Sequence, residues 1–160
     1  MTPPRVFGLS LLQPWATLVA REIKRVETRA WRPHDLMPQD VLLIHASKGK
    51  TDGIAWMQAC TAAGVDTADS SAYPRGAILA LAHVAFVVPS TGATPRLMAH
   101  VGPAHWGIER QLGDWSPGRW LWAIDGVARL QKPVPCVGAL GLWTPDPLLL
   151  GRLRGAGLDL

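Results

Sequence analysis

Gln13-Pro14-Trp15, followed by Lys24-Arg25-Val26-Glu27-Thr28-Arg29-Ala30-Trp31, is the stretch from which the rest of this chain is read. Pro14 suits a first helical turn, where its missing N–H costs nothing. Trp15, Leu18, Val19 and Ile23 then recur at helical spacing, which predicts a helix of about ten residues with one apolar stripe. Arg21, Lys24 and Arg25 would crowd its last turn, where cations favour the carbonyl end of the helix dipole. The helix delivers the chain onto a strand, Val26–Trp31. Strand side chains alternate, so Glu27, Arg29 and Trp31 share one face while Val26, Thr28 and Ala30 share the other. Two opposite charges and an indole beside Lys24 make a polar pocket rather than a hydrophobic wall. The same spacing equally fits an exposed edge strand with a solvated Glu27–Arg29 pair.

Outward from there, Val6–Leu12 reads as a strand, and Val41–Ala46 as a buried strand ending in a polar turn, Ser47 to Thr51. Asp52 caps a helix over Gly53–Ala63 that Gly64 stops. Residues 65–75 read as loop. Ala77–Val88 is an apolar run too long for a flat strand, which a bent or bulged strand of a small barrel accommodates. Pro89 to Gly118 is irregular, with a short helix near Pro95–Val101. Arg119–Ala128 alternates Trp120, Trp122 and Ile124 against Leu121, Ala123 and Asp125. Lys132-Pro133-Val134-Pro135 reads as a turn into a last strand, Gly138–Trp143. Asp146-Pro147 opens a terminal helix to about Leu153. The expectation is one α+β domain over residues 1–160, core about 6–145, in which five or six strands close a small mixed barrel flanked by helices.

Composition narrows the classes. With 160 residues, 48% hydrophobic and 18% charged, the chain is long enough for a core without staples. Its two cysteines, Cys60 and Cys136, lack metal-ligand spacing, and His34, His45, His83, His100 and His105 form no His-x-x-x-His, so no metal and no cofactor are expected. No Gly-x-Ser-x-Gly elbow, phosphate loop or dinucleotide fingerprint occurs. Without a signal-like apolar start or a run near the roughly 20 apolar residues of a membrane span, the expectation is a soluble, cytoplasmic monomer. The net charge of +4 is placed unevenly: residues 1–50 hold eight Lys/Arg against four acids, whereas the remainder balances. A local positive field attracts phosphates.

The individual residues suggest chemistry. Lys24 suits a phosphate or a base carbonyl, and Arg29 offers a planar fork for a phosphate or a guanine edge. Glu27, flanked by two cations, is read as an acceptor for an exocyclic amine before it is read as a proton shuttle. Eight tryptophans are many for this length. Trp15 and Trp31 flank the charged motif and are the candidates for stacking a base; Trp56, Trp120, Trp122 and Trp143 are read as core. His45, ending a buried strand, lines the cleft or packs in the core. Ser10 and Gln13 add polar contacts.

Leu9-Ser10-Leu11-Leu12-Gln13-Pro14-Trp15-Ala16, Lys24-x-x-Glu27-x-Arg29 and Val41–Ala46 resemble the start of the ASCH (activating signal cointegrator-1 homology) domain family, a PUA-like branch. Pro74-Arg75-Gly76-Ala77-Ile78 and Pro135-Cys136-x-Gly138-Ala139-Leu140-Gly141-Leu142-Trp143 resemble its far end. The resemblance implies a PUA-like barrel whose cleft, lined by Lys24, Glu27 and Arg29, holds single-stranded RNA, a nucleotide or a modified nucleobase. It also implies an alternative: a hydrolase of that cleft, either a single-strand ribonuclease or an N4-acetylcytidine amidohydrolase, with Lys24 and Glu27 as the acid–base pair. Two departures matter. The family's glycine two residues before the lysine is Glu22 here, so the helix is expected to run on or fray. The amidohydrolases' threonine, three residues after the lysine, is Glu27 here, and Thr28 faces the other way, which argues against a threonine nucleophile.

Overall fold

A computed structural model describes residues 2–67, 70–91 and 94–160. Residues 68 and 69 of the expected 65–75 loop, and 92 and 93 of the irregular 89–118 stretch, lie outside the described residues. In chain order the elements are β1 (Val6–Leu11), α1 (Trp15–Ala20), β2 (Val26–Arg29), β3 (Val41–Ala46), α2 (Gly53–Ala63), β4 (Ala77–Pro89), α3 (Thr94–Val101), α4 (Trp106–Gln111), β5 (Trp120–Pro135), β6 (Leu142–Trp143) and α5 (Pro147–Gly155), with a 3-10 turn at Ser70–Ala72. Six strands form one mixed sheet in the order β2-β5-β4-β3-β1-β6. Among the described residues, only β1 and β3 run parallel. The fold is α+β, and the described residues form a six-stranded half-barrel with five helices.

Curvature comes from the long β4–β5 pair. Its register shifts three times, and each extra residue increases local twist. The sheet curls until β2, at one end, comes within a side chain's reach of β1 near the other: Arg29 Nη2 donates to the Ser10 carbonyl at 3.0 Å. Every residue of β3 is buried. Leu42, Ile44 and Ala46 face the barrel interior with Leu9, Leu11 and Trp122, while Val41 and Leu43 pack beneath α5 against Leu149 and Leu153. A strand covered on both faces reads as a continuous apolar run, which is how Val41–Ala46 reads. In β5, Trp122 and Ile124 enter the interior, and Leu121 and Ala123 pack against Leu97 and Val101 of α3.

Four expectations are corrected. The first helix is six residues rather than about ten, because the chain turns at Glu22 with φ +59°, and the amides of Ile23 and Lys24 both close on the Leu18 carbonyl. Arg21, Lys24 and Arg25 therefore lie beyond the helix instead of in its last turn. Glu22 holds the left-handed conformation that glycine adopts without strain. A Glu22→Gly variant is expected to gain about 1 kcal/mol, the released strain less the added unfolded-state entropy. Thermal unfolding then shifts up by roughly 2–4 °C; an unchanged or lower midpoint would show that the turn carries no strain.

The strand read as Val26–Trp31 ends at Arg29. β5 does not turn at Lys132-Pro133 but runs on to Pro135, pairing Val134 with Ile78. Past Ala123 it has β4 as its one ladder partner, and a proline is tolerated on such an edge. The last strand shrinks from Gly138–Trp143 to Leu142–Trp143, because Gly141 takes φ +67° and the segment before it crosses the barrel end as a loop. Among the described residues, no helix is long and apolar enough to cross a membrane.

Candidate functional site

The open side of the half-barrel, where β2 approaches β1, holds a cavity of about 450 Å³. Ser10 and Leu11 of β1, Trp15 of α1, Lys24, and Glu27 to Arg29 of β2 form one wall. Gln58 and Ala59 of α2, with Gln111 to Asp114 at the end of α4, form the other.

At its floor lies a charged array. Glu27 Oε1 accepts from Arg29 Nε at 2.8 Å, and Oε2 stands 3.3 Å from Lys24 Nζ. Lys24 also donates to the Val26 carbonyl. Lys24 and Glu27 are almost fully buried, whereas about a quarter of the Arg29 side chain is exposed. Burying a lone charge in such a position is costly, and mutual pairing is what lets these three sit here. Lys24 is thus committed to the protein. Arg29, whose Nη2 also reaches Ser10, is the cation that meets solvent in the cavity. Across the whole lining, Lys24 and Arg29 are matched by Glu27 and Asp114, so the cavity is polar and hydrogen-bonding rather than strongly cationic.

The array is held from outside by α4, a helix inside the stretch from Pro89 to Gly118 whose sequence shows no period. Glu109, 1% exposed, accepts from the backbone N–H groups of Arg25 (2.8 Å) and Val26 (2.9 Å). His105 Nε2 donates to the Ile23 carbonyl at 2.5 Å. One short helix therefore fixes the backbone from Ile23 to Val26, which carries the lysine and leads directly into the glutamate. The spacing His105-x-x-x-Glu109 carries this signal only once the helix is known.

The other candidate residues are placed as follows. Thr28 does turn away from Glu27: its hydroxyl accepts from the Asp114 amide at 3.2 Å, and its methyl packs on Gly113 at the cavity rim. Asp114 is itself engaged, since hydrogen bonds from the Ser116 side chain and backbone hold its carboxyl below the usual range. Gln13 is fully buried. It accepts from the Thr17 amide and donates to the Thr17 hydroxyl (2.8 Å) and the Pro74 carbonyl (2.7 Å), pinning α1 to the turn before β4. Trp31 packs edge-on against Trp122, ring centres 5.0 Å apart, away from the cavity. His45 lies on the far side of Ser10. A carbonyl only accepts, so His45 Nε2–H donates to Cys136 O (3.1 Å) and Nδ1 accepts from the Ser10 hydroxyl (2.9 Å). Burial pushes its pKa down, partly offset by the Cys136 carbonyl. So Ser10, Trp15, Lys24, Glu27 and Arg29 come together, while Gln13, Trp31 and His45 do not join them. Among the described residues no three His, Cys, Asp or Glu side chains converge as a metal site would require.

The profile of the ASCH domain family matches residues 9–98. Two crystal structures of ASCH proteins from Zymomonas mobilis are similar over nearly their whole length. A single-site mutant protein gives a TM-score of 0.58 at 10% identity, with 97% of this chain and 98% of that one covered. A second structure, of ASCH itself, gives 0.56 at 12% identity, with 94% of each covered. At such identities the likeness shows the fold. No curated protein matches the sequence.

Proposed function

Since this chain belongs to the ASCH domain family, a PUA-like fold consistent with RNA binding, we propose that the cavity between β1 and β2 binds single-stranded RNA by taking one nucleobase against the Lys24–Glu27–Arg29 floor. The observation that carries this is the Arg29 fork, a quarter exposed, fixed by Glu27 and the Ser10 carbonyl and aimed into a cavity of nucleotide size. A planar guanidinium held on two sides loses little freedom when it meets a base edge or a phosphate. Trp15 offers an aromatic wall, and Gln58 and Gln111 offer amides at the rim. With charges balanced in the lining, base-edge hydrogen bonds rather than phosphate attraction would dominate.

Arg29→Ala tests the reading. Loss of a charge-assisted contact is worth about 1.5–3 kcal/mol, so affinity for single-stranded RNA should fall roughly 10- to 100-fold. Arg29→Lys, which keeps charge but loses the fork, should fall in between. Unchanged binding by Arg29→Ala would remove the cavity from the account.

One observation favours a second reading in the same place. Lys24 and Glu27, 3.3 Å apart, are the pair that an acid–base hydrolase of RNA or of N4-acetylcytidine would use. Mass analysis of RNA and N4-acetylcytidine after incubation separates the two: shortened strands or released cytidine, absent with Lys24→Ala, would make the protein an enzyme.

A further inference from the structure

A second cavity, of about 390 Å³, lies across Ser10 from the first. Ser10 belongs to the walls of both. Its carbonyl is held by Arg29 on one side and its hydroxyl by His45 on the other. The two cavities are therefore separated by little more than the thickness of β1.

This second space is built rather than incidental. Its floor is the Ser10–His45 pair, with His45 only 3% exposed. The loop after β5 lies directly on that pair, and a Cβ at Gly138 would stand 2.4 Å from both Ser10 Oγ and His45 Nδ1, so only glycine fits. At the mouth, Val137 and Leu140 are 86% and 99% exposed. Two aliphatic side chains so open to water beside a cavity offer a face for something apolar and flat. Lys48 also lines the space, and among the described residues that line it Lys48 is the one charged side chain and none is a carboxylate. An apolar lip with a cation beside it suits a nucleotide, with its base over Leu140 and its phosphate at Lys48. An acidic peptide would also meet Lys48, but continuity with the first cavity through Ser10 favours a strand that already occupies that cavity.

We propose that the second cavity holds the nucleotide next to the one in the first, so that the ligand is an RNA strand of at least two residues crossing β1 at Ser10. This inference rests on the reading of the first cavity given above. Linking two occupied sites in one ligand raises affinity without any new contact in either.

The test titrates the full chain with the four ribonucleoside monophosphates and the four matching homodinucleotides, followed by tryptophan fluorescence, for the native protein, Lys48→Glu and Leu140→Asp. Both substituted side chains are exposed, and unchanged circular dichroism checks that the fold is kept. The expected result is a dinucleotide that binds about tenfold tighter than its own mononucleotide. Both variants should lose that gain while keeping mononucleotide affinity. Equal binding of mono- and dinucleotide, a gain that survives both variants, or a loss of mononucleotide binding in either would overturn the second subsite while the first stands. Absence of binding by every mono- and dinucleotide would overturn both readings together.

Discussion

Replacing Glu27 with alanine is expected to destabilise the protein by about 3–5 kcal/mol, because it strips the carboxylate from a buried ammonium. Lys24 is 3% exposed, and after the substitution its Nζ would keep the Val26 carbonyl alone. A neutral carbonyl does not offset the desolvation of a full charge. Arg29, a quarter exposed, would also lose its 2.8 Å partner but can turn to water. For a chain of this length the loss lowers the unfolding midpoint by roughly 10 °C. Lys24→Met in the same background removes the stranded charge and should recover much of the stability, since a buried ion pair replaced by an apolar group of similar size is often near neutral. A double-mutant cycle reads that coupling directly. A cost below about 1 kcal/mol for Glu27→Ala would mean that the pair behaves as a solvated one.

Glu109→Ala should cost nearly as much for a different reason. The carboxylate is 1% exposed and closes two backbone donors, Arg25 N–H and Val26 N–H. Each buried donor left without a partner costs about 1–3 kcal/mol, so a loss of about 2–5 kcal/mol is expected in urea unfolding. Glu109→Gln keeps one acceptor oxygen and should cost less than half as much. Because Glu109 meets the segment leading to Lys24 and Glu27 through its backbone N–H groups, the glutamine variant should weaken RNA affinity more than an α4 substitution exposed outside the cavity, for example at Arg110, does. Equal effects at the two positions would show that α4 does not position the array.

These two glutamates mark what the sequence displayed and what it hid. Glu27 stands inside a compact motif, Lys24-x-x-Glu27-x-Arg29, whose strand alternation is visible in eight consecutive residues, and the structure does bring these three side chains into contact. Glu109 acts across 83 residues, on a six-residue helix too short to show a period. Gln13 lies apart from the array for another reason. A polar residue in a motif beside a pocket looks functional, yet its amide has every partner inside the protein. Trp31 shares a strand face with Glu27 only while the strand lasts, and β2 ends at Arg29. The long apolar run Ala77–Val88 announced a bent strand, and three register shifts supply the bends. Glu22 shows a tertiary override: local preference disfavours φ +59° for glutamate, but ending α1 there is what turns Lys24 inward.

Amide chemical shifts show where on this fold RNA sits, and the cavity between β1 and β2 is the expected place. On titration with a single-stranded RNA pool, saturable shifts are expected at Ser10, Thr28, Arg29 and Gly113 and at the Trp15 indole, with Leu149 and Leu153 of α5 unmoved. Shifts confined to α5, or none at any of the five cavity positions while RNA binds, would contradict it.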